Sequence, residues 1–118
     1  MNSRPFGQTG LHVSALGFGA MHLNDERVSE QDAGRLLNQV LDLGVTLIDT
    51  ARGYGLSEER IGRHLAHRRR EFVLSTKVGY GIDGVPDWTY ACIVAGVEAA
   101  LWRMRCEVLE IGRASCRE

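Results

Sequence analysis

Apolar and polar residues repeat along this chain with two different spacings, which predict strands and helices in alternation. Residues 4–13 hold Thr9-Gly10 between two short segments, a pattern typical of a β-hairpin turn. Residues 14–19 predict a short buried strand. The runs at 45–48 and 72–76 are apolar and rich in β-branched residues, as strands covered on both faces are. Residues 108–109 mark the start of a further strand.

Helical spacing separates these runs. Ser29 and Asp32 form a capping signal for a first helix, and Ser57 opens a second helix with acidic residues in its first turn, where the helix dipole favours them. Strands that alternate with helices predict an α/β fold with a parallel sheet. The predicted apolar stripes are Ala33, Leu36, Leu37, Val40 and Leu41 in the first helix, and Tyr90, Ile93, Val94, Val97, Leu101 and Met104 in the third.

Composition narrows the class of protein. The 118 residues are 44% hydrophobic and 25% charged, as in one soluble globular domain, and the net charge of -1 gives no reason to expect a nucleic-acid partner. The basic run at 67–70 is interpreted as a solvated helix end. No apolar stretch approaches the roughly 20 residues of a membrane span. Three cysteines without CxxC spacing argue against a disulfide framework or a metal site and favour a cytoplasmic location; Cys92 and Cys106 are interpreted as packing residues.

Three side chains carry the candidate chemistry. Asp49 and Lys77 follow successive predicted strands, and Tyr54 lies between two glycines in the loop after Asp49. The ends of parallel strands meet at one edge, so we expect Asp49 and Lys77 to pair there. On spacing alone, a catalytic pair and a purely structural ion pair remain two open interpretations. A nearby ammonium favours an ionised phenol, which makes Tyr54 a candidate acid–base group.

Three stretches of the chain together resemble the aldo-keto reductase superfamily, from about residue 4 to residue 110. Residues 44–65, GVTLIDTARGYGLSEERIGRHL, look like its first signature. Residues 74–79, LSTKVG, resemble its lysine-bearing strand, and residues 7–19, GQTGLHVSALGFG, resemble the opening of its bacterial members.

The resemblance implies the N-terminal portion of a (β/α)8 TIM barrel with a leading β-hairpin, from an oxidoreductase that reduces aldehydes or ketones. NADPH is the implied cofactor, with NADH as the alternative. In this reading Tyr54 protonates the substrate oxygen, and Lys77, paired with Asp49, tunes that phenol. Gly19, Ala20 and Met21 would lie beneath the nicotinamide, and Asp49 near the ribose. The sequence has no GxGxxG fingerprint, which disfavours a Rossmann dehydrogenase.

The chain also departs from the family pattern. The fourth catalytic residue, a histidine at the end of the fourth barrel strand, is absent; of the histidines present, His64 and His67 are interpreted as solvated helix residues. The polar residues 111–118 do not resemble the family. The hypothesis is that residues 1–110 are the family domain and that 111–118 are foreign sequence, joined by a cloning or assembly artefact.

A complete barrel of this kind needs about 250 residues, so this chain is too short to close one. We therefore expect it to be inactive alone, to bind NADPH weakly or not at all, and to self-associate through its open sheet edge. The alternative function is a non-catalytic interaction fragment that pairs through the same edge.

Overall fold

The computed structural model of this chain describes residues 1–114. The chain opens with an antiparallel hairpin of β1 (Ser3–Pro5) and β2 (His12–Ser14). Its turn is tightened by the Thr9 hydroxyl, which donates to the Phe6 carbonyl at 2.6 Å. The predicted hairpin is confirmed.

Within residues 1–114, four further strands form a parallel sheet in the order β3 (Phe18–Gly19), β4 (Leu47–Asp49), β5 (Val73–Val78) and β6 (Ile111–Ala114). The register places Gly19 beside Asp49 and Asp49 beside Ser75. The predicted α/β fold with a parallel sheet is therefore confirmed, and the ends of β3, β4 and β5 meet at one edge.

Two predicted strand boundaries are wrong. The strand expected at 14–19 is confined to its last two residues, because Ser14 pairs with Ser3 in the hairpin and Leu16 is 66% exposed. The strand expected to start at 108–109 begins at Ile111, and Val108 is 61% exposed. Residues 111–114 of the predicted foreign tail thus continue the sheet, whereas 115–118 lie outside the described residues.

In the described part of the chain three α-helices follow the strands: α1 (Glu30–Asp42), α2 (Ser57–Leu65) and α3 (Tyr90–Arg103), with short 3-10 helices at Met21–Leu23 and Ala66–Glu71. The capping signal of α1 is confirmed, since the Ser29 hydroxyl accepts from the Asp32 N–H at 3.1 Å. Four of the five residues in its predicted apolar stripe are buried, but Leu36 is 38% exposed.

The predicted apolar stripe of α3 is only partly buried. Tyr90 is 83% exposed and Val94 39% exposed, whereas Met104 is buried and Ile93, Val97 and Leu101 are half-buried. The small residues Cys92, Gly96 and Ala100 are buried as well. A Cβ at Gly96 would lie 3.4 Å from the Val78 side chain, so small residues let this helix approach β5 closely. Hydrophobic periodicity predicted a packing face of larger apolar side chains, whereas the close contact of α3 with β5 is made by small residues.

The core lies between the sheet and the helices. Ile48 and Leu74 are fully buried there. Side chains alternate across a strand, so Leu47, Asp49 and Ser75 point to the opposite face, where they line a cavity of about 330 Å³. The core also includes Ala33, Leu37, Leu41, Ile61, Leu65 and Ala100 of the three α-helices, and Met104, which directly follows α3.

The basic run and one histidine are less solvated than predicted. Arg68 pairs with Asp42 at 2.9 Å and also with a glutamate, and Arg69 stacks over the Phe72 ring. His64 is 20% exposed and contacts the Glu30 carboxylate at 2.7 Å. These side chains hold α1, α2 and the following turn together. His67 is exposed, as predicted. In residues 1–114 we find no helix with the length and apolar character of a membrane span.

Candidate active site

Lys77 and Asp49 form an ion pair at the carboxyl ends of β4 and β5. The Lys77 Nζ lies 3.0 Å from Asp49 Oδ2 and donates a second hydrogen bond, of 2.9 Å, to the Thr50 carbonyl. The Lys77 side chain is 12% exposed and that of Asp49 47%. The ammonium is therefore held in place by the protein, while the carboxylate still faces solvent.

The ion pair has a further partner that sequence reasoning missed. The Ser75 hydroxyl donates to Asp49 Oδ1 at 2.8 Å, so both carboxylate oxygens are engaged. Ser75 lies directly beside Asp49 in the register of β4 and β5. The alternation of side chains along β5 places Ser75 and Lys77 on the same face, which is the sequence signal that could have identified it.

Tyr54 lies against this ion pair. The Lys77 Nζ is 4.9 Å from the centroid of the Tyr54 ring, a cation–π distance. The loop that carries Tyr54 packs closely on the loop after β3: the Leu56 N–H donates to the Asn24 carbonyl at 2.9 Å, and a Cβ at Gly55 would lie only 2.1 Å from that oxygen. Gly55, at φ +48°, makes this approach sterically accessible. The structure thus brings together all three predicted catalytic side chains.

The predicted cofactor-binding residues lie next to Asp49. The Ala20 N–H donates to the Asp49 carbonyl at 2.8 Å, which holds the end of β3 against β4. Ala20 is fully buried, Met21 is 47% exposed, and a Cβ at Gly19 would meet no atom within 4 Å. Open space beside Gly19 and an exposed carboxylate on Asp49 therefore adjoin the ion pair.

Ser57 opens α2, as predicted, and its side chain also joins two other elements. The buried Ser57 hydroxyl donates to the Ala20 carbonyl at 2.8 Å and contacts Thr50 Oγ1 at 2.8 Å. Ser57 thus fixes the backbone at the end of β3. Its partner lies 37 residues earlier, so local sequence pattern gave no signal for the contact.

Glu58 lies in the first turn of α2, as predicted, and its side chain is also buried and paired. Its side chain is 1% exposed, pairs with Arg103 of α3, and accepts from the Thr76 hydroxyl of β5 at 2.8 Å. Thr76 precedes Lys77, so this buried contact ties two helices to the strand that carries the candidate lysine.

The fourth strand contributes no histidine. Residues 111–114 are Ile-Gly-Arg-Ala, and Arg113 lies beside Lys77 in the register of β5 and β6. Across residues 1–114, no group of three or more histidine, cysteine, aspartate or glutamate side chains is arranged to hold a metal ion. The chemistry available here is that of a phenol, an ammonium and a carboxylate.

Comparison with known proteins points to one family. The model of the aldo/keto reductase family matches residues 15–111. An uncharacterized oxidoreductase of Bacillus subtilis, YqkF, is 30% identical to this chain in an alignment that covers 94% of this chain and 38% of that protein.

Solved structures agree with the sequence match. A putative aldo-keto reductase from Pseudomonas aeruginosa has a TM-score of 0.85 and 38% identity, over 95% of this chain and 45% of that one. An aldo-keto reductase from Klebsiella pneumoniae, solved in complex with NADPH, has a TM-score of 0.76 and 26% identity, over 91% of this chain and 37% of that one. The chain thus spans less than half the length of these proteins, and its strands form part of a TIM barrel that they cannot close.

Proposed function

The chain belongs to the aldo/keto reductase family, and we propose that it is the N-terminal part of an NADPH-dependent oxidoreductase that reduces aldehydes or ketones to alcohols. The observation that carries the proposal is the contact of Tyr54 with Lys77, itself paired with Asp49. A structural ion pair needs no phenol beside it, whereas a carbonyl reductase needs a proton donor.

In the proposed reaction Tyr54 is the general acid. Its hydroxyl donates a proton to the carbonyl oxygen of the substrate while NADPH, when bound, supplies the hydride. The Lys77 ammonium stabilises the phenolate that remains, because opposite charges attract strongly in a partly buried site. Asp49 and the Thr50 carbonyl keep the ammonium beside the ring. A proton from solvent then restores the phenol.

The residues around Asp49 fit the nicotinamide end of the cofactor. Open space at Gly19 and the exposed Met21 leave room beside the sheet, and the half-exposed Asp49 carboxylate can accept a hydrogen bond from a ribose hydroxyl. NADPH is proposed over NADH on the family resemblance and on the NADPH-bound relative from Klebsiella pneumoniae. We expect the 118-residue chain alone to bind NADPH weakly and not to turn over.

A chimera tests this proposal. Residues 1–110 of this chain would replace the matching segment of the Pseudomonas aeruginosa aldo-keto reductase, which completes the barrel. The assay follows oxidation of NADPH, and in parallel NADH, with a panel of aldehydes and ketones. We expect carbonyl-dependent oxidation, and we expect Tyr54→Phe to lower kcat by about 10²–10⁴-fold, as loss of a general acid does.

The matched control is Tyr90→Phe, which removes the hydroxyl of a tyrosine that is 83% exposed on α3. It should leave the rate unchanged. If Tyr54→Phe and Tyr90→Phe retain equal kcat in an active chimera, Tyr54 is not the proton donor.

We also propose that residues 111–118 are not part of the family domain. The polar composition of this segment and the end of the family match at residue 111 support the proposal. Resequencing the locus tests it: an uninterrupted reading frame that encodes this segment would contradict it.

A further inference from the structure

The loops that follow β4 and β5 are joined by two hydrogen bonds between consecutive residues. The Gly53 N–H donates to the Tyr80 hydroxyl at 3.2 Å, and the Arg52 guanidinium donates to the Gly81 carbonyl at 2.9 Å. One loop carries Tyr54 and the other directly follows Lys77. These two hydrogen bonds therefore connect the loops that position Tyr54 and Lys77, the two side chains that must meet in the proposed site.

The loop that carries Tyr80 is held in place by contacts of its own. The Tyr80 ring packs against Trp88 with centroids 5.6 Å apart, and the Gly81 N–H donates to the Asp87 carboxylate at 3.0 Å. Trp88 has a φ of 65°, a conformation that a bulky residue keeps only when its surroundings enforce it. The Tyr80 side chain is therefore held firmly enough to position the neighbouring loop that carries Tyr54.

Contacts on both sides of Tyr54 hold its loop in place. Gly55 and Leu56, on its C-terminal side, pack against and hydrogen-bond to Asn24, and Gly53, on its N-terminal side, is held by Tyr80. Loss of the Tyr80 contact leaves the N-terminal side of the loop with the hydrogen bond from the Arg52 side chain to Gly81, and Gly53 itself is no longer held. The ring of Tyr54 can then move away from the ammonium.

From this arrangement we infer that Tyr80 is a positioning residue, whose hydroxyl holds the loop of Tyr54 so that the phenol stays over Lys77. The inference rests on the proposed function for the catalytic purpose of this contact, but the position of Tyr54 relative to Lys77 can be tested without cofactor or turnover.

Tyr80 is better suited than Arg52 to hold the loop of Tyr54. The Arg52 Nη1 atom is buried without a hydrogen-bond partner among residues 1–114, an unfavourable state that offsets part of what its other nitrogen gains. The Tyr80 hydroxyl accepts the hydrogen bond from the Gly53 N–H and lies so close that a Cβ at Gly53 would be only 3.0 Å from it.

Lys77 supplies a direct probe, because it is the only lysine in the sequence. Lysine labelled with ¹³C at the ε-carbon gives one methylene signal from the full chain. We expect the Tyr54 ring, whose centroid lies 4.9 Å from Nζ, to shift that signal upfield through its ring current. A Tyr54→Leu variant removes the ring and defines the unshifted position.

We expect Tyr80→Phe, which keeps the ring beside Trp88 and deletes only the hydroxyl, to move the Lys77 signal more than half of the way to the Tyr54→Leu position. Tyr90→Phe, the exposed control, should leave it in place. A merely structural role for Tyr80 would lower the unfolding midpoint without moving the Lys77 signal of the folded chain.

Gly53→Ala disturbs the same contact from the other loop. It should shift the Lys77 signal in the same direction, and adding it to Tyr80→Phe should change little more, because the hydroxyl that the new methyl group meets is already gone. A Lys77 signal that is unmoved in both Tyr80→Phe and Gly53→Ala overturns the inference. So does a signal at the random-coil position in the unaltered chain. Failure of the chimera to reduce carbonyls, with the Lys77 shifts as expected, overturns only the proposed function.

Discussion

Arg103→Met should destabilise this chain far more than the loss of an ordinary surface arginine. The Glu58 carboxylate is 1% exposed, and its charged partner is Arg103, whose side chain is 21% exposed. Its other hydrogen bond comes from the Thr76 hydroxyl. Methionine keeps most of the length of the arginine stem, so the main change is an uncompensated charge between α2, α3 and β5.

The expected loss follows from that burial. Removing one partner of a buried ion pair costs about 3–5 kcal/mol, a large part of the roughly 5–15 kcal/mol by which a domain is stable. Glu58→Gln should cost less, about 1–3 kcal/mol, because glutamine still accepts from Thr76 and the freed Arg103 can reach water. The order of the two variants is therefore part of the prediction.

Urea unfolding followed by tryptophan fluorescence measures the loss in each variant. The control is Arg35→Met, since Arg35 and its partner Asp32 are each 58% exposed and such a pair contributes less than about 1 kcal/mol. Equal losses in the two arginine variants, or a larger loss for Glu58→Gln than for Arg103→Met, would refute the reasoning.

Three further predictions concern pH, backbone and assembly. Burial tends to raise the pKa of Glu30, but hydrogen bonds from His64 and a neighbouring arginine outweigh it and hold that pKa below its usual value. The stability that Glu30 contributes is thus present above about pH 4.3 and lost as pH falls through the folded-state pKa, so the deficit of Glu30→Gln in urea unfolding should disappear in acid; a constant deficit would contradict this. Gly55→Ala should lower the free energy of unfolding by more than about 1 kcal/mol and by more than Gly84→Ala, since both have positive φ but only Gly55 meets the Asn24 carbonyl; equal losses would refute the steric argument. The open sheet edges of β3 and β6 should make the chain self-associate, which light scattering during gel filtration would detect as a mass that rises with concentration; a monomer at every concentration would count against it.

Local pattern determined the secondary structure and the candidate chemistry of this protein. The strand–helix alternation, the Ser29 cap and the convergence of Asp49 with Lys77 were all predictable, because each depends on residues close in sequence or on the common direction of parallel strands. Tyr54 was added as the third member of the site from its position between two glycines after Asp49, and the family resemblance supplied its role as proton donor. The catalytic assignment of these residues remains a prediction until the chimera is measured.

Tertiary structure decided which face of each helix is buried and which polar residues are paired. The exposure of Tyr90 and the burial of Glu58 both followed from how closely α3 approaches β5 and α2. The contacts of Ser57 with Ala20 and of Gly53 with Tyr80 join residues 37 and 27 positions apart. Hydrophobic periodicity reports the average polarity of a segment, but such contacts depend on interatomic distances between segments, which become defined only when the sheet and helices pack.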